Sequence, residues 1–326
     1  MQNFNPASAG NYELEKVLEY LDGKDSVGVT TGNVYVVIPS TNDNYVEFYD
    51  KFNKTYKDGT VSIQSTLDLA MAACTAGRGD YVYIAPGYAL TVTASVPALD
   101  VAGVTVVGLG NGLNRPTFTY GAAAATIDVS ADNIRMMNCH FIANFDNVAS
   151  AFTIGDAKDF ELINNTFDDT SSALHFLSIV TTDTTDQNAE GLKVIGNRWN
   201  GLAIAPLAFV SVLGDLDRLV VNDNVVHMDA TNNVGHFITF AAKDVLEAEI
   251  SNNVCNVVGA TDATVGIFLT GSGTSMKGVV RGNLISSLDT TTELVFTAGT
   301  GLTYYDNLYT GVADKSGYVL PAIDAA

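Results

Sequence analysis

One eight-residue pattern recurs along most of this chain and restricts its fold more than any other feature. It reads apolar, any, apolar, any, any, Asn, any, apolar, and we call its Asn the anchor. The full copies place the anchor at Asn165, Asn197, Asn224, Asn253, Asn283 and Asn307. An earlier copy has Cys139 at this position, and weaker copies upstream have Leu109 and Gly87. Successive anchors lie 22 to 32 residues apart.

This repeat predicts an all-β solenoid, a single-stranded right-handed parallel β-helix. The alternating apolar pair describes a short strand with one buried face. The anchor Asn is expected at a corner between two strands, in the left-handed αL conformation that Asn tolerates. Coils stacked about 4.8 Å apart would align the anchor amides in a hydrogen-bonded ladder. Leucine-rich repeats have a similar period, but their Leu-rich consensus is missing from this chain, and propeller blades are longer.

The residues that follow each anchor predict what lies inside and outside the coils. Because side chains alternate along a strand, the residue two places after the anchor should point inward. This inward column comprises Phe141, Phe167, Trp199, Val226, Cys255, Ile285 and Tyr309. The residue directly after the anchor should point outward, and in early coils it is His140, Thr166 or Arg198. In later coils it is apolar, and we call these residues the apolar strip: Val225, Val254, Leu284 and Leu308.

A contiguous outward strip of this kind usually marks a contact, whereas scattered apolar surface residues do not. We expect the strip to bind a partner on one lateral face of the solenoid. The alternative is that the chain covers the strip itself, with a loop or with the tail over residues 311–326.

Composition and charge exclude several classes of partner. The chain has 16 basic and 36 acidic side chains, a net charge of −20, which argues against binding nucleic acid or anionic membranes. Apolar residues make up 47%, but no run is long enough to span a membrane, and the start at Met1 lacks the features of a signal peptide. Cys74, Cys139 and Cys255 show no paired spacing, so we expect buried thiols.

The region before the repeats has a different pattern of apolar residues, which is typical of helices. Leu14, Val17, Leu18 and Leu21 predict an amphipathic helix over residues 11–21. An aromatic stripe from Tyr45 to Tyr56 predicts a second helix. A third, from Ile63 to Cys74, should bury Ile63, Leu67, Ala70, Met71 and Cys74. An open β-helix end exposes core and strand edges, so we expect these helices to cap it, with docking on a partner as the alternative.

The expected domain division follows from these patterns. Residues 1–57 form a capping or docking region, residues 58–310 form the β-helix, and residues 311–326 form a C-terminal tail.

Three segments carry a family resemblance. They are Asp58-Gly59-Thr60 with Ile63-Gln64-Ser65-Thr66-Leu67, then Gly79-Asp80-Tyr81-Val82-Tyr83-Ile84-Ala85-Pro86-Gly87, and Val104-Thr105-Val106-Val107-Gly108-Leu109-Gly110. Over these and the later repeats the chain resembles the pectate-lyase-like superfamily of right-handed parallel β-helices. That superfamily includes secreted polysaccharide lyases and hydrolases as well as bacteriophage virion proteins. The opening strand from Gly32 to Ser40, followed by the Asp-Gly segment, looks more like the phage branch.

Glycine and histidine groups indicate neither a nucleotide nor a metal site. The cluster from Gly108 to Gly112 is followed by Asn114-Arg115-Pro116 and not by the helix that a dinucleotide loop needs, so we expect it to turn a corner. His140 and His227 should lie three coils, roughly 14 Å, apart, which is too far to share a metal ion. His175 and His236 fall in variable segments. No metal and no cofactor is expected.

Paired carboxylates are the feature that an enzyme of this fold would need, since glycosidases use two. The candidate pairs are Asp168 with Asp169, Asp215 with Asp217, and Asp183 with Asp186. Hydrolases of the superfamily carry an Asn-Thr-Asp strand, an Asp-Asp pair, a Gly-His-Gly turn and an Arg-Ile-Lys segment, but in this chain Gly235-His236 lacks the second Gly and the other elements are out of order. Lyases use calcium-binding acids with a basic residue, and the basic candidates Arg198, Arg218 and Arg281 lie in no matching motif. We therefore expect no catalytic residues.

Together these features favour a non-enzymatic bacteriophage virion protein that decorates or stabilises the capsid. From the short stretch after the last anchor we expect no trimerising domain of the kind that tailspikes carry. The expected partners are a second copy of the chain or the major capsid protein, with a host surface glycan as a further option. Assembly in the host cytoplasm fits the missing signal peptide. The alternatives are a tailspike-like polysaccharide depolymerase and a passive glycan-binding module.

Overall fold

The chain forms a right-handed parallel β-helix, as the repeat predicted. The computed structural model describes residues 32–202, 206–229, 235–241, 243–258, 266–271, 275–287, 294–296, 301–310 and 317–318. Between residues 81 and 296 each coil contributes one short strand to each of three long sheets, so neighbouring strands of a sheet are one coil apart in sequence. No helix in these residues is long and apolar enough to cross a membrane.

Within each long sheet the strands lie side by side in the order of their coils, except that β2 lies outside β1. Sheet 1 contains β2 (Ile63–Gln64), β1 (Val34–Val37), β3 (Tyr81–Ile84), β6 (Thr105–Gly108), β9 (Arg135–Met137), β12 (Glu161–Ile163), β15 (Lys193–Ile195), β19 (Val220–Asn222), β23 (Ala248–Ser251), β26 (Gly278–Arg281) and β29 (Leu302–Tyr305). Sheet 2 contains β4 (Ala89–Val92), β7 (Thr117–Tyr120), β10 (His140–Ala143), β13 (Thr166–Asp169), β16 (Arg198–Gly201), β20 (Val225–Asp229), β24 (Val254–Val258), β27 (Leu284–Ser287), β30 (Leu308–Thr310) and β31 (Gly317–Tyr318). Sheet 3 contains β5 (Ala98–Leu99), β8 (Ile127–Val129), β11 (Phe152–Ile154), β14 (Ser178–Thr182), β17 (Ala208–Ser211), β21 (His236–Thr239), β25 (Gly266–Thr270) and β28 (Leu294–Phe296). A small sheet pairs β18 (Leu216–Asp217) with β22 (Val245–Leu246).

The predicted inward column is confirmed. Its members are register partners from coil to coil, from Phe141 through Trp199 to Tyr309. The ring centroids of Phe141 and Phe167 lie 4.9 Å apart in a stacked arrangement, and Phe118 extends the stack by one coil at 5.2 Å. Trp199 is buried, whereas Tyr309, in the last coil, is half-buried. Stacked rings at the coil spacing therefore form the core beneath sheet 2.

The anchor side chains form a buried ladder at the corner between sheets 1 and 2. The Oδ1 atom of Asn224 accepts hydrogen bonds from the backbone amide of Asn197 at 2.9 Å and from its Nδ2 at 3.2 Å. Nδ2 of Asn224 donates to the Val194 carbonyl at 2.8 Å and to Asn253 Oδ1 at 3.0 Å. The same scheme relates Asn165, Asn197, Asn224, Asn253, Asn283 and Asn307. From the coil of Cys139 to that of Asn307, each coil is therefore bonded to the anchor amide of its neighbour.

The expected conformation of the anchor was wrong by one residue. The αL residue is the one directly before it, as at Asn164 (φ 54°), Asp223 (φ 59°) and Asn252 (φ 57°). Gly196 and Gly282 occupy the same place, also with positive φ. The reversal of the chain at this residue turns the anchor side chain inward, where its amide has buried partners. Small polar residues or Gly are suited to this place because a β-branched side chain clashes there.

The two helices near the N-terminus have different positions. Helix α1 (Tyr45–Phe52) lies on the outer face of sheet 1, where Phe48 packs with Val36 and Tyr83. Helix α2 (Leu67–Ala73) directs Leu67, Ala70 and Met71 into the main core, where it contacts the first strands of sheet 1. Of these two helices in the described residues, α2 alone therefore covers the end of the core.

Both helices are shorter than the sequence indicated. The aromatic stripe ends its helix at Phe52, and Tyr56 lies beyond it. Ile63 belongs to β2 and not to a helix, and Cys74 follows the end of α2 and is half-buried. The predicted helix over residues 11–21 lies outside the described residues. Strand β1 lies inside sheet 1, between β2 and β3, and the division at residue 58 stays a prediction.

An ion pair with a buried carboxylate lies beside the first described strands of sheet 1. Arg78 binds the fully buried Asp80 through Nε at 2.7 Å and Nη2 at 2.8 Å, and two backbone amides donate to the same carboxylate. Nη1 of Arg78 also reaches Asp58 at 3.1 Å. Hydrogen bonds from Thr60, and then Arg78, lower the pKa of Asp58 to about 2. The Asp58-Gly59-Thr60 segment is therefore held in place by hydrogen bonds within itself and by Arg78.

Candidate functional site: the outer face of sheet 2

Two columns of side chains point outward from sheet 2. From β10 to β30 each strand of the sheet begins just after an anchor, and its first and third residues face away from the core. The first column comprises Ala89, Thr117, His140, Thr166, Arg198, Val225, Val254, Leu284 and Leu308. The second comprises Thr91, Thr119, Ile142, Asp168, Asn200, His227, Asn256, Ser286 and Thr310.

The first column changes from polar to apolar halfway along the solenoid. The four residues of the apolar strip are paired in register on successive coils, as the sequence indicated. Their exposed fractions are 47% for Val225, 37% for Val254, 39% for Leu284 and 41% for Leu308. The described part of the tail, β31, pairs antiparallel with the edge of β30 within the sheet. The rest of the tail lies outside the described residues, and what contacts the strip stays a prediction.

The second column stays polar beside the strip. Nδ1 of His227 lies 3.0 Å from Nδ2 of Asn256, and Oγ of Ser286 donates to Oδ1 of Asn256 at 2.9 Å. These side chains link consecutive coils by hydrogen bonds along the axis. The face therefore combines a row of aliphatic side chains with a parallel row of amide, imidazole and hydroxyl groups.

A charged cluster lies on the same face in the earlier coils. Nε2 of His140 is 2.7 Å from Oδ2 of Asp168, and Nη2 of Arg115 donates to Oγ1 of Thr166 at 2.9 Å. Arg115 is half-buried, and desolvation lowers the pKa of its guanidinium. Arg198 is the register partner of Thr166 and is exposed. The sequence places His140, Thr166 and Arg198 on the outward column, but it does not indicate that His140 pairs with Asp168 or that Arg115 reaches Thr166.

The predicted pair of Asp168 and Asp169 does not share a surface. Asp168 points outward, whereas Asp169 is buried and accepts hydrogen bonds from the backbone amides of Phe176 at 3.0 Å and Leu202 at 2.8 Å. Adjacent residues of a strand face opposite sides of the sheet, so they cannot act together on one bond.

The acids near residue 215 form a structural ladder. Asp186 accepts from the backbone amide of Asp215 at 2.9 Å, and Asp215 accepts from that of Asp244 at 2.9 Å. Asp244 in turn accepts from the backbone amide of Ser275 at 2.8 Å. Each carboxylate thus holds the corresponding turn of the next coil. Asp217, the other member of the predicted pair with Asp215, lies in β18.

Asp183 also stabilises the loop in which it lies. It accepts from Nδ2 of Asn188 at 3.1 Å and from the backbone amide of Thr184 at 2.6 Å. These hydrogen bonds lower the pKa of Asp183, with Asn188 as the largest cause.

The histidines and cysteines are dispersed. His140 and His227 lie three coils apart, His175 is buried with Nε2 3.0 Å from Asn147 Oδ1, and His236 begins β21 in sheet 3. Across the part of the chain that the structure describes, no three His, Cys, Asp or Glu residues are placed to hold a metal ion. Cys139 and Cys255 are buried free thiols, and burial raises the pKa of Cys139 to about 12.

The remaining motifs have structural partners. Arg218 pairs with Asp159 at 2.9 Å, and Arg281 pairs with Glu249 at 3.0 Å. The glycine cluster turns a corner, with Gly110 (φ 91°) in a left-handed conformation followed by a single 3₁₀ turn over Gly112–Asn114.

Several solved structures are similar to this chain at low sequence identity. No protein-family model and no curated protein sequence matches it. PfbA, a surface adhesin of Streptococcus pneumoniae, is similar over 87% of this chain and 80% of its own, with 12% identity and a TM-score of 0.41. DFA-IIIase from Arthrobacter chlorophenolicus A6 without its lid is similar over 96% and 88%, with 13% identity and a TM-score of 0.32. The same enzyme in complex with GF2 is similar over 97% and 84%, with the same identity and TM-score. One of these proteins is an adhesin and the other an enzyme, and likenesses this low carry no inference about activity, ligand or host.

Proposed function

We propose that this protein is a non-enzymatic structural component of a larger protein assembly, attached through the apolar strip. In its specific form the proposal is a bacteriophage virion protein that decorates or stabilises the capsid. One observation supports attachment through the strip. Its four aliphatic side chains, each more than a third exposed, lie in register on successive coils. Such a row removes apolar surface from water when a partner covers it.

The use of the carboxylates supports a structural role. Asp169, Asp215 and Asp183 each accept hydrogen bonds from backbone amides and hold turns or loops of the solenoid. The virion assignment draws on the sequence resemblance of the opening segment, which forms β1.

The test is a double substitution on the strip. Particles sedimented from cells that carry the gene should contain the chain, and Val225→Asp with Leu284→Asp should remove it while the circular dichroism of the coils is unchanged. The matched control, Thr91→Asp with Thr119→Asp, adds the same charge to the same sheet and should remain in the particles. Absence of the unmodified chain from particles would refute the virion assignment. A large drop in the melting temperature of the isolated double variant would instead show that the chain covers its own strip.

A second candidate function is glycan binding or cleavage by the polar side chains of the same face. It is favoured by the His140–Asp168 pair at 2.7 Å and by the row from Asn200 to Ser286. Release of reducing ends from acidic or neutral polysaccharides, lost in Asp168→Asn, would overturn the non-enzymatic proposal. Glycan binding without cleavage, lost in Asn200→Ala, would identify a passive binding module.

A further inference from the structure

The apolar surface beneath α1 continues beyond that helix on the outer face of sheet 1. Helix α1 packs on register partners of one outward column, each exposed by 8% or less: Val36, Tyr83 and Val107. On the next three coils the same column continues with apolar residues, which we call the sheet 1 patch: Met137, Ile163 and Ile195. Met137 packs against the cluster under α1, yet all three side chains of the patch are only half-buried. The patch is therefore continuous with a surface that a helix of this chain already covers.

Polar residues border the patch. In the next coil its column changes to Asn222, whose Oδ1 accepts a hydrogen bond from the backbone amide of Ser251 at 3.0 Å. The neighbouring outward column carries Arg135, Glu161 and Lys193 on the coils of the patch. Glu161 binds Arg135 at 2.5 Å and Lys193 at 2.7 Å, so one carboxylate serves two cations. The patch thus lies beside a border with more basic than acidic side chains, in a chain of net charge −20.

An amphipathic segment of the same chain has no surface assigned to it. Residues 11–21, with the apolar stripe of Leu14, Val17, Leu18 and Leu21, lie outside the described residues. An isolated helix shorter than about 12–15 residues is marginal in water, so a helix here needs a surface that buries its stripe. The end of the core, where such a helix was expected, is occupied by α2.

The segment can reach the patch from the point where the described residues begin. Gly32 lies against the backbone of Gly79, where a Cβ atom on Gly32 would be only 2.1 Å from the carbonyl oxygen. Strand β15, which holds Ile195, lies five strands from β1 in sheet 1, a distance of about 24 Å. The linker over residues 22–31 can span about 33 Å when extended. A helix over residues 11–21 is about 16 Å long, and the ends of the patch are about 10 Å apart.

The charges of the segment complement those of the border. The segment carries Glu13, Glu15 and Glu19 against Lys16 alone. At 3.6 residues per turn, Glu13 and Glu15 would flank the apolar stripe, one on each side. Whichever way such a helix ran, one of its flanks would carry a carboxylate toward the basic border, and opposite charges across a contact favour it.

We propose that residues 11–21 form a helix that packs on the sheet 1 patch, beside α1. The helix buries Ile163 and Ile195 as α1 buries Val36 and Tyr83, so two helices of the N-terminal region cover successive parts of one sheet face. This contact lies on a different face from the apolar strip and is independent of the proposed function.

The first test is hydrogen exchange of the full chain, measured by mass spectrometry. Relative to their intrinsic rates, the amides of residues 14–21 should exchange at least about tenfold more slowly than those of the linker over residues 22–31, because docking stabilises the helical hydrogen bonds. Ile163→Asp with Ile195→Asp should abolish this protection, because the apolar stripe would then lie against two carboxylates.

A matched control adds the same charge to another face. Thr91→Asp with Thr119→Asp changes two outward register partners of sheet 2 and should leave residues 14–21 protected. Loss of protection in this control as well would mean that added charge alone releases the segment, which would overturn the proposal.

A second variant leaves every residue of the solenoid unchanged. Leu14→Asp with Leu18→Asp alters the segment alone and should uncover the sheet 1 patch. With carbon-13 in the methionine methyl groups, the NMR signal of Met137 should shift in this variant. The signal of Met228, which is fully buried in a later coil, should not move.

The remaining outcomes each contradict the proposal. Exchange of residues 14–21 at their intrinsic rates in the unmodified chain would exclude a docked helix. Protection that survives Ile163→Asp with Ile195→Asp, or a Met137 signal that does not respond to the segment variant, would mean that the segment packs on another surface. Protection that is lost on dilution would show that the patch binds the segment of a second copy and not that of its own chain.

Discussion

The early and late coils of this β-helix share one interior but differ on the outer face of sheet 2. Inside, Phe141 and Phe167 in the early coils and Cys255 and Ile285 in the late coils are all fully buried register partners of one column. Outside, the first column changes from polar and charged residues to the apolar strip. The fold constrains what faces inward, where packing decides stability, and leaves the outward positions free to serve another purpose.

The largest effect that tests this contrast is expected inside the coils. Trp199→Ala should destabilise the protein by about 3–5 kcal/mol, because it leaves a cavity in the stacked column. Its matched control is the preceding residue, and Arg198→Ala should change the unfolding free energy by no more than about 0.5 kcal/mol. Urea unfolding measures both. Equal costs for the two substitutions would break the distinction between inside and outside.

A smaller loss is expected in the anchor ladder. Asn224→Ala leaves the buried backbone amide of Asn197 and the Val194 carbonyl without these partners, which should cost about 2–4 kcal/mol. The same substitution at Asn200, on the outer face, should be nearly neutral. Thermal unfolding of both variants separates a structural Asn from an outward one, and a neutral Asn224→Ala would mean that the ladder contributes little.

Substitution of the αL residue before an anchor should cost less stability than loss of the anchor itself. Asp223→Val forces a β-branched residue into the αL conformation and should cost about 1–2 kcal/mol. Asp223→Gly, which removes the same carboxylate without that strain, serves as the control and should change stability little. If both variants lost equal stability, the cost would come from the lost carboxylate and not from the backbone.

The smallest effect on stability is expected on the strip. Val225→Thr with Leu284→Thr gives late coils an outer face like that of the early coils and should change the unfolding free energy by about 0.5 kcal/mol or less. The same double variant should be depleted from the sedimented particles, because the aliphatic surface that attaches the chain is reduced. A clear loss of stability in the isolated chain would indicate instead that the strip is covered from within.

Part of the candidate site could be predicted from the sequence alone. The position of Val225, Val254, Leu284 and Leu308 follows from the anchor and the two-residue alternation of a strand. The His140–Asp168 pair joins residues in different coils and different columns, and the repeat predicts only that both face outward. The convergence of Arg115 on Thr166 depends on how a long side chain crosses from one coil to another, which no repeat pattern specifies.

The sequence by itself determined the solenoid, its inward column and its amide ladder, because each is repeated over many successive coils and each copy restricts the others. Only the tertiary structure decided which residue of each corner is αL, where α1 packs, and which partner each carboxylate takes. These features depend on contacts between residues far apart in sequence that occur once or vary from coil to coil. The physical reason is that a stacking contact recurs in many coils, so one sequence pattern specifies it many times. A single long-range contact depends on the room around two particular side chains and on the hydrogen-bonding groups that face them.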